Sequence, residues 1–301
     1  MQVINTSGMS RLEKLQIRGF SLGASDSSVI ACLSRKSRFG LWCEKTRRCE
    51  PDEAGEEAQW GLDLEPLIAR HWENRTCGRI AETQVMVRDP RFEWLTATLD
   101  ALTDDDQIVE FKAVGIGTAK GIEDGDASTL PPAWILQAHH QMFVAAKPVC
   151  NFAVFIGHRL RLYTFEVPWD AELWEPVFAL EREFWDHVKS DTPPAEFSGE
   201  DCAAIQRYFN RVEPACLEID DELAEEHARR FVEAKDAKKY AEKAEAEAKA
   251  ALLFRMGNAE RARIGPYEFN RKLVQVKATT PKPRPASSYV RFTCTSNGDD
   301  E

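Results

Sequence analysis

Apolar and polar residues alternate with two different periods between residues 21 and 212. Helical spacing of the apolar positions is found in the segments GASDSSVIACL, WGLDLEPLIARHW, PPAWILQAHHQMFVAA and ELWEPVFALEREFWDHVKS. Shorter, strand-like runs are TQVMVRD, WLTATLDAL, IVEFKAV, NFAVFIG and LRLYTFEV. The order of helices, a hairpin-rich sheet, a helix, two more strands and a closing helix predicts one α/β domain. Within WGLDLEPLIARHW we expect Pro66 in the first helical turn, where its missing N–H costs little.

The pattern changes abruptly beyond Pro214. The segment DDELAEEHARRFVEAKDAKKYAEKAEAEAKAALLFRM is rich in Ala, Glu and Lys and predicts a long solvated helix that ends near Gly257. Because a strict apolar heptad is missing, a charged arm supported by i,i+4 pairs is favoured over a coiled coil. The predicted organisation is a folded domain over residues 1–214, a charged helical arm over 215–257, and a basic, Pro-rich tail with a short hairpin over 258–301.

Composition limits the classes of function. A chain of 301 residues with 43% hydrophobic content has room for a full-sized core. It has no run of eighteen apolar residues and no basic-then-apolar leader pattern, so we expect no membrane association and a cytoplasmic location. The eight cysteines form no CxxC pair, which favours reduced, structural cysteines. The net charge of -11 excludes a protein that coats nucleic acid by bulk positive charge, so any such contact must be local.

One local basic cluster lies in SRKSRFGLWCEKTRRC, where lysines and arginines surround Phe39 and Trp42. Basic residues interleaved with aromatic residues can contact nucleic acid. A cluster of this kind is nevertheless more often a solvated face of the protein. Both interpretations remain open from the sequence.

Like charges flank the acidic turn in TLDALTDDDQIVEFK. If the turn is centred near Asp105, Asp100 and Glu110 become cross-strand neighbours about 5 Å apart at Cβ. Lys112 then shares the face of Glu110. A hard divalent cation between the carboxylates would remove their repulsion, and the lysine could orient or help deprotonate a water. The competing interpretation is a solvated hairpin mouth whose charges pair with each other. The apolar frame of IVEFKAV favours the metal site, because it predicts a strand buried on both faces and buried charges need partners.

Asp100, followed ten positions later by Glu110-Phe111-Lys112, has the pattern of the PD-(D/E)XK nucleases. The sequence from Arg18 to Lys189 resembles the YqaJ branch of the lambda-type phage exonucleases. The motifs SLGASD, WGLDLEP, TLDA with EFK, and WILQAHHQM occur in the order of that family. The resemblance implies that residues 1–214 form a PD-(D/E)XK restriction-endonuclease-like core, an α/β fold with a central mixed sheet flanked by helices.

The resemblance also implies roles for the residues that match the family's motifs. Asp100 and Glu110 correspond to the metal-binding carboxylates, and the main-chain carbonyl of Phe111 completes that set. Lys112 corresponds to the catalytic lysine that positions and activates the attacking water. Glu65 in WGLDLEP corresponds to a helix glutamate that reaches the metal site, through water or a second ion.

Three further residues are implied to contact DNA. Gln137 matches the glutamine of the family's QxxxY-like helix motif, Ser25 lies at a helix start where free N–H groups favour phosphate, and Arg18 aligns with an arginine that engages a 5′ phosphate. The chain departs from the family at two positions, since Gln141 replaces the motif's tyrosine and Leu99 replaces the proline before the first aspartate.

His139 and His140 lie between Gln137 and Gln141 in the same predicted helix. A neighbouring histidine can bind metal. A histidine in a helix packed against a sheet is more often structural, so we interpret both as structural.

The function implied by the resemblance is an Mg²⁺-dependent exonuclease, with Mn²⁺ as a substitute, that degrades linear duplex DNA from its ends. Its direction would be 5′ to 3′, leaving single-stranded tails for phage-type recombination. A single-strand annealing protein is the implied partner, a ring the implied homo-oligomer, and the cytoplasm of a bacterial host the implied location. The alternatives are an endonuclease or end-trimming nuclease of the same fold, or a non-catalytic DNA-binding or assembly protein. The last would be expected to lack Glu110 or Lys112.

Overall fold

A six-stranded sheet with the strand order β1-β2-β3-β4-β5-β6 forms the centre of the first part of the chain. The strands are β1 (Gln2–Ile4), β2 (Ile80–Arg88), β3 (Thr96–Thr103), β4 (Ile108–Val114), β5 (Val149–Ile156) and β6 (Arg161–Pro168). All neighbours pair antiparallel except β4 and β5, which are parallel. A parallel connection needs a crossover, and the chain supplies one as a helix. The predicted mixed sheet flanked by helices is confirmed.

This computed structural model describes residues 2–4, 9, 13, 17, 19–49, 55–195, 197 and 199–272. Arg18, to which the family resemblance gives a role, and the part of the predicted tail beyond residue 272 lie outside the described residues. The chain divides into two units, Met1–Asn210 and Arg211–Glu301. Within the described parts, no helix combines the length and the apolar character that a membrane span requires.

Helices cover both faces of the sheet. They are α1 (Asp26–Ile30), α2 (Arg38–Lys45), α3 (Glu56–Thr76), α4 (Ile116–Ala119), α5 (Pro132–Ala145), α6 (Ala171–Lys189) and α7 (Cys202–Tyr208). The prediction that Pro66 lies in a first turn is wrong, because α3 begins ten residues earlier at Glu56. Pro66 has no N–H to donate to the carbonyl of Leu62, whose exposed position lets solvent satisfy that group.

The central strand β4 is buried on both sides. Ile108, Val109, Glu110 and Phe111 are all buried, as the frame IVEFKAV predicts. Val109 and Phe111 pack with residues of α3, whereas Ile108 belongs to the larger core cluster that includes residues of α1, α2, α5 and α6. Successive strand residues point to opposite faces, so β4 is enclosed between two helical layers. Glu110 is thereby held in a dry environment that a carboxylate tolerates only with partners.

The second unit contains one long helix and a hairpin. Helix α8 (Glu222–Met256) begins at Asp221, whose side chain accepts from the Leu223 N–H, and it ends before Gly257, in agreement with the predicted end. Lys238–Glu242 and Lys243–Glu247 are i,i+4 ion pairs along its exposed surface. Strands β7 (Arg261–Ile264) and β8 (Tyr267–Asn270) pair antiparallel after it. This unit therefore has the solvated character that its charge pattern predicts.

Candidate active site

Three neighbouring strands place polar residues in one row of the sheet. The register of β2 and β3 puts Gln84 opposite Asp100. The ladder between β3 and β4 ends at the pair Ala101–Val109. One step beyond that pair, Asp100 stands opposite Glu110. The structure thus brings the two predicted carboxylates together as cross-strand neighbours, at the point where the pairing of β3 and β4 stops.

The Asp100 carboxylate accepts a hydrogen bond from a backbone N–H that is not used in the pairing of β3 and β4. Its Oδ2 accepts from the Phe111 N–H at 2.8 Å. Removal from water raises the pKa of Asp100 well above its ordinary value, and repulsion from Glu110 raises it further, against the lowering effect of the Phe111 N–H. The half-buried Asp100 carboxylate therefore lies in a place where a negative charge is poorly compensated.

Glu110 is held by three side chains. Its Oε1 accepts from Lys112 Nζ at 2.6 Å and from Gln137 Nε2 at 2.5 Å. Its Oε2 accepts from Gln141 Nε2 at 2.6 Å. Gln137 also accepts from Lys112 Nζ at 2.9 Å, so one amide fixes the lysine and the glutamate relative to each other. Every one of these contacts comes from a donor, so both oxygens of Glu110 act as acceptors.

Lys112 is the cation beside Asp100 and Glu110. Burial works to lower the pKa of Lys112, but the carboxylates of Glu110 and Asp100 outweigh it and raise that pKa above its ordinary value. The Nζ atom also lies 5.7 Å from the centre of the Trp134 ring. The amine therefore keeps its proton and is enclosed by partners, while its side chain stays 20% exposed and accessible from solvent.

Glu65 reaches the same group from α3. Its Oε2 accepts from Gln84 Nε2 at 2.7 Å. Burial raises the pKa of Glu65, the Gln84 bond opposes that shift, and repulsion from Glu110 adds to it. Glu65 is thus within electrostatic reach of Glu110, and the structure brings it together with the residues of the acidic hairpin.

Three carboxylates, those of Glu65, Asp100 and Glu110, share this region with one ammonium group, that of Lys112. Such a set of oxygen donors with excess negative charge suits a hard divalent cation. Each carboxylate is held by a protein donor, however, and among the described residues no three His, Cys, Asp or Glu side chains stand in a ready-made metal-binding arrangement. A cation bound here would therefore compete with the present hydrogen bonds, including that from Gln84.

Two residues of the site had no role assigned from the sequence. From the sequence, Gln141 is a departure from the family motif, but its position one helical turn after Gln137 places both on one face of α5. Gln84 belongs to no motif that the sequence offers. Its place beside Asp100 follows from the register of β2 and β3, which only the structure supplies.

Ser25 is exposed at the start of α1, where its side chain makes no capping hydrogen bond. Its described hydrogen bond is accepted by its own carbonyl from Ser28. None of its described contacts reaches the Glu110 group. The DNA-contacting roles of Ser25 and Gln137 remain predictions, and Arg18 lies outside the described residues.

The two helix histidines bond to groups other than Glu110. His140 Nδ1 lies 2.9 Å from the Glu181 carboxylate and its Nε2 lies 3.0 Å from the Thr96 carbonyl, so both ring nitrogens face acceptors. Burial lowers the pKa of His140 but Glu181 outweighs it, and the net pKa is raised. Ser27 also donates to Glu181, at 2.6 Å. His139 bonds instead to the backbone of Ile135, which agrees with a structural role for both histidines.

The basic cluster of SRKSRFGLWCEKTRRC is largely occupied by internal contacts. Its ion pairs are Lys36–Glu44, Lys45–Asp26 and Arg48–Asp191. Arg47 stacks over the ring of Phe20, 3.8 Å from its centre. These contacts use much of the positive charge within the folded chain, which favours the interpretation as a structural and solvated face.

Known proteins are similar to this chain in sequence and in fold. Residues 14–148 match the model of the YqaJ-like viral recombinase domain. Uncharacterized protein YqaJ of Bacillus subtilis (strain 168) is 31% identical over 195 residues, which cover 63% of this chain. The match spans 60% of that relative, less than two thirds of its length.

A solved structure with a similar fold is the alkaline exonuclease LHK-Exo from Laribacter hongkongensis. In its complex with dAMP, the match has a TM-score of 0.50 at 17% identity and covers 60% of this chain and 93% of LHK-Exo. Another crystal structure of LHK-Exo matches with a TM-score of 0.49, also at 17% identity and with the same coverage. The likeness to the dAMP complex, with its TM-score of 0.50, confirms the predicted α/β fold. Residues 14–148, somewhat less than half of the chain, are thus similar to the YqaJ-like viral recombinase domain.

Proposed function

We propose that this protein is a divalent-metal-dependent deoxyribonuclease, an exonuclease that hydrolyses phosphodiester bonds of linear duplex DNA. The observation that carries the proposal is the meeting of Glu65, Asp100, Glu110 and Lys112 where β3 and β4 separate. Three acidic oxygen donors beside one protonated amine are groups that metal-dependent phosphodiester hydrolysis can use. The dAMP in the LHK-Exo complex supports a nucleotide-containing substrate for this fold.

The carboxylates of Asp100, Glu110 and Glu65, with the carbonyl of Phe111, are the groups that would hold Mg²⁺, for which Mn²⁺ would substitute. When bound, such an ion lowers the pKa of a water and stabilises charge on the cleaved phosphate. The chain itself supplies the dry setting, since Glu110 is only 2% exposed. It also supplies the excess negative charge that attracts a cation.

Lys112 contributes a fixed proton donor. Its raised pKa keeps the amine protonated, and bonds to Glu110 and Gln137 set the position of Nζ. The amine can therefore donate to a water or to a phosphate oxygen that enters the site from its exposed side. Gln137 acts on both charges, because it accepts from Lys112 and donates to Glu110.

The finer features of the proposal come from the family resemblance. They are degradation from 5′ to 3′, single-stranded tails for recombination, and a single-strand annealing protein as partner. A ring-shaped homo-oligomer would let a chain with a net charge of -11 hold DNA by enclosure rather than by bulk positive charge. The solution mass of the full chain tests the ring, and a strict monomer would count against it.

The decisive experiment compares the digestion of linear duplex DNA by the wild type and by Lys112→Ala in the presence of Mg²⁺. We expect Lys112→Ala to lower the rate by about 10²–10⁴-fold, the usual contribution of a positioned proton-transferring group. Lys147→Ala is a matched control, because Lys147 also pairs with a carboxylate, that of Asp106, but lies outside the site. Its rate should equal that of the wild type.

The substrate distinguishes the competing functions. DNA labelled at one 5′ or one 3′ end reports the direction, and covalently closed circular DNA reports endonuclease activity. Cleavage of the closed circles would favour the endonuclease alternative. If the wild type and Lys112→Ala do not differ on any DNA, the enzyme proposal is wrong and a non-catalytic DNA-binding role is favoured.

A further inference from the structure

Gln84 has an unusual backbone in the middle of β2. Its φ is 55°, in the left-handed region that residues with a side chain seldom occupy, least of all within a strand. The distortion is local, because Thr83 and Val85 on either side are both paired with β3. The next three residues, Val85 to Val87, are buried. The strand also has a register shift between Ile80 and Glu82, so Gln84 is a second irregularity, and it lies where the exposed first part of β2 meets the buried second part.

The strained residue stands beside the acidic group. In the strand register Gln84 is opposite Asp100, and its Nε2 donates to Glu65 Oε2 at 2.7 Å. Among the described contacts, this bond is the one hydrogen bond made by the Glu65 carboxylate. It links β2 to α3, so the position of Glu65 relative to the sheet depends on the side chain of Gln84.

We propose that Gln84 is a positioning residue that acts through Glu65. Its left-handed backbone directs the amide toward α3 and holds the Glu65 carboxylate beside Asp100 and Glu110. Strained backbone persists where the surrounding structure enforces it, and such residues cluster at functional sites. The inference rests on the proposed function only in treating Glu65 as part of a metal site.

The test separates stability from metal binding. Gln84→Gly removes the amide and also relieves the left-handed conformation, because glycine occupies that region freely. We expect its melting temperature without metal to be at least that of the wild type. Its dissociation constant for Mn²⁺ alone, measured by electron paramagnetic resonance of the free ion, should rise about tenfold, as is typical when a group that orients a ligand is lost.

Two comparisons link the effect to Glu65. Gln84→Asn tolerates the left-handed backbone but has a shorter amide, so it should weaken Mn²⁺ binding as Gln84→Gly does. In the double variant with Glu65→Gln, the change at Gln84 should cause no further loss, as expected of residues that act as a pair. Leu160→Gly is the matched control, since Leu160 also has a left-handed φ, of 50°, but lies in the exposed β5–β6 turn. Its Mn²⁺ binding should be unchanged.

The outcomes are distinguishable. If Gln84→Gly melts at a lower temperature and binds Mn²⁺ as the wild type does, Gln84 is purely structural and the inference is overturned alone. A further loss in the double variant would also overturn it, because Gln84 would then act by a route other than Glu65. If the wild type itself binds no Mn²⁺ and cleaves no DNA, the proposed function fails and this inference fails with it.

Discussion

Gln141 tests how the Glu110 carboxylate is held. Its Nε2 donates to Glu110 Oε2 at 2.6 Å and to the Thr98 carbonyl at 3.2 Å, and its Oε1 lies 3.8 Å from the Cys150 thiol. The thiol donates and the carbonyl accepts, so the amide has one favourable orientation. Gln141→Met keeps the length and the approximate volume of the side chain but removes both donors.

The magnitude follows from burial. Gln141 is fully buried and Glu110 is 2% exposed, so in Gln141→Met the Oε2 atom loses its donor with little access to water. A hydrogen bond to a charged group contributes about 1.5–3 kcal/mol, and we therefore expect the free energy of unfolding without metal to fall by about 2 kcal/mol. Loss of a group that orients a metal ligand weakens metal affinity about 10–100-fold.

The assay pairs denaturant unfolding with direct titration of Mn²⁺. His139→Gln is the control, because His139 is buried in the same helix but bonds to Ile135 and Asp170 rather than to Glu110. It should lose stability without a change in the dissociation constant for Mn²⁺. The reasoning is refuted if Gln141→Met binds Mn²⁺ as tightly as the wild type, or if both variants weaken binding equally.

Two further predictions concern the scaffold. His140→Ala leaves Glu181 buried without its partner and should lower the free energy of unfolding by about 3–5 kcal/mol in denaturant melts. The folded pKa of His140 is raised, so the stabilisation from this pair is complete below pH 6.5 and is lost as the pH rises through the folded pKa. His140→Ala should therefore remove this fall in the free energy of unfolding with rising pH. Pro66→Ala should raise the melting temperature, because it restores an N–H for the Leu62 carbonyl within α3. An unchanged melting temperature would show that α3 is already adapted to the proline.

The fold was predictable wherever the sequence signal was local. The frame IVEFKAV predicts a strand buried on both faces, and β4 is that strand. The turn chemistry of LTDDDQ predicts the hairpin, which puts Asp100 opposite Glu110. The Ala, Glu and Lys composition predicts the solvated helix that ends before Gly257. In each case the pattern and the structure depend on the same few neighbouring residues.

The remainder depends on contacts between distant segments. No composition rule gives Gln84 a left-handed backbone, because a non-glycine residue adopts it only when the surrounding fold enforces it. The bond between His140 and Glu181 joins residues 41 positions apart. The predicted position of Pro66 in its helix is wrong because the start of α3 lies in a polar segment with little apolar periodicity. Pairing across the sheet and between helices had to be seen in the structure.

The hydrogen bonds around Glu110 explain how an acidic row can fold before any metal is present. Lys112 offsets one negative charge, whereas Gln84, Gln137 and Gln141 add dipoles but no charge. Amides can satisfy the oxygens of a buried carboxylate, yet they leave the repulsion among Glu65, Asp100 and Glu110 in place. That residual repulsion is the reason the pKa values of Glu65 and Asp100 are raised further by their acidic neighbours. The same glutamines that make the metal-free fold tolerable therefore preserve the negative potential that a divalent cation would neutralise.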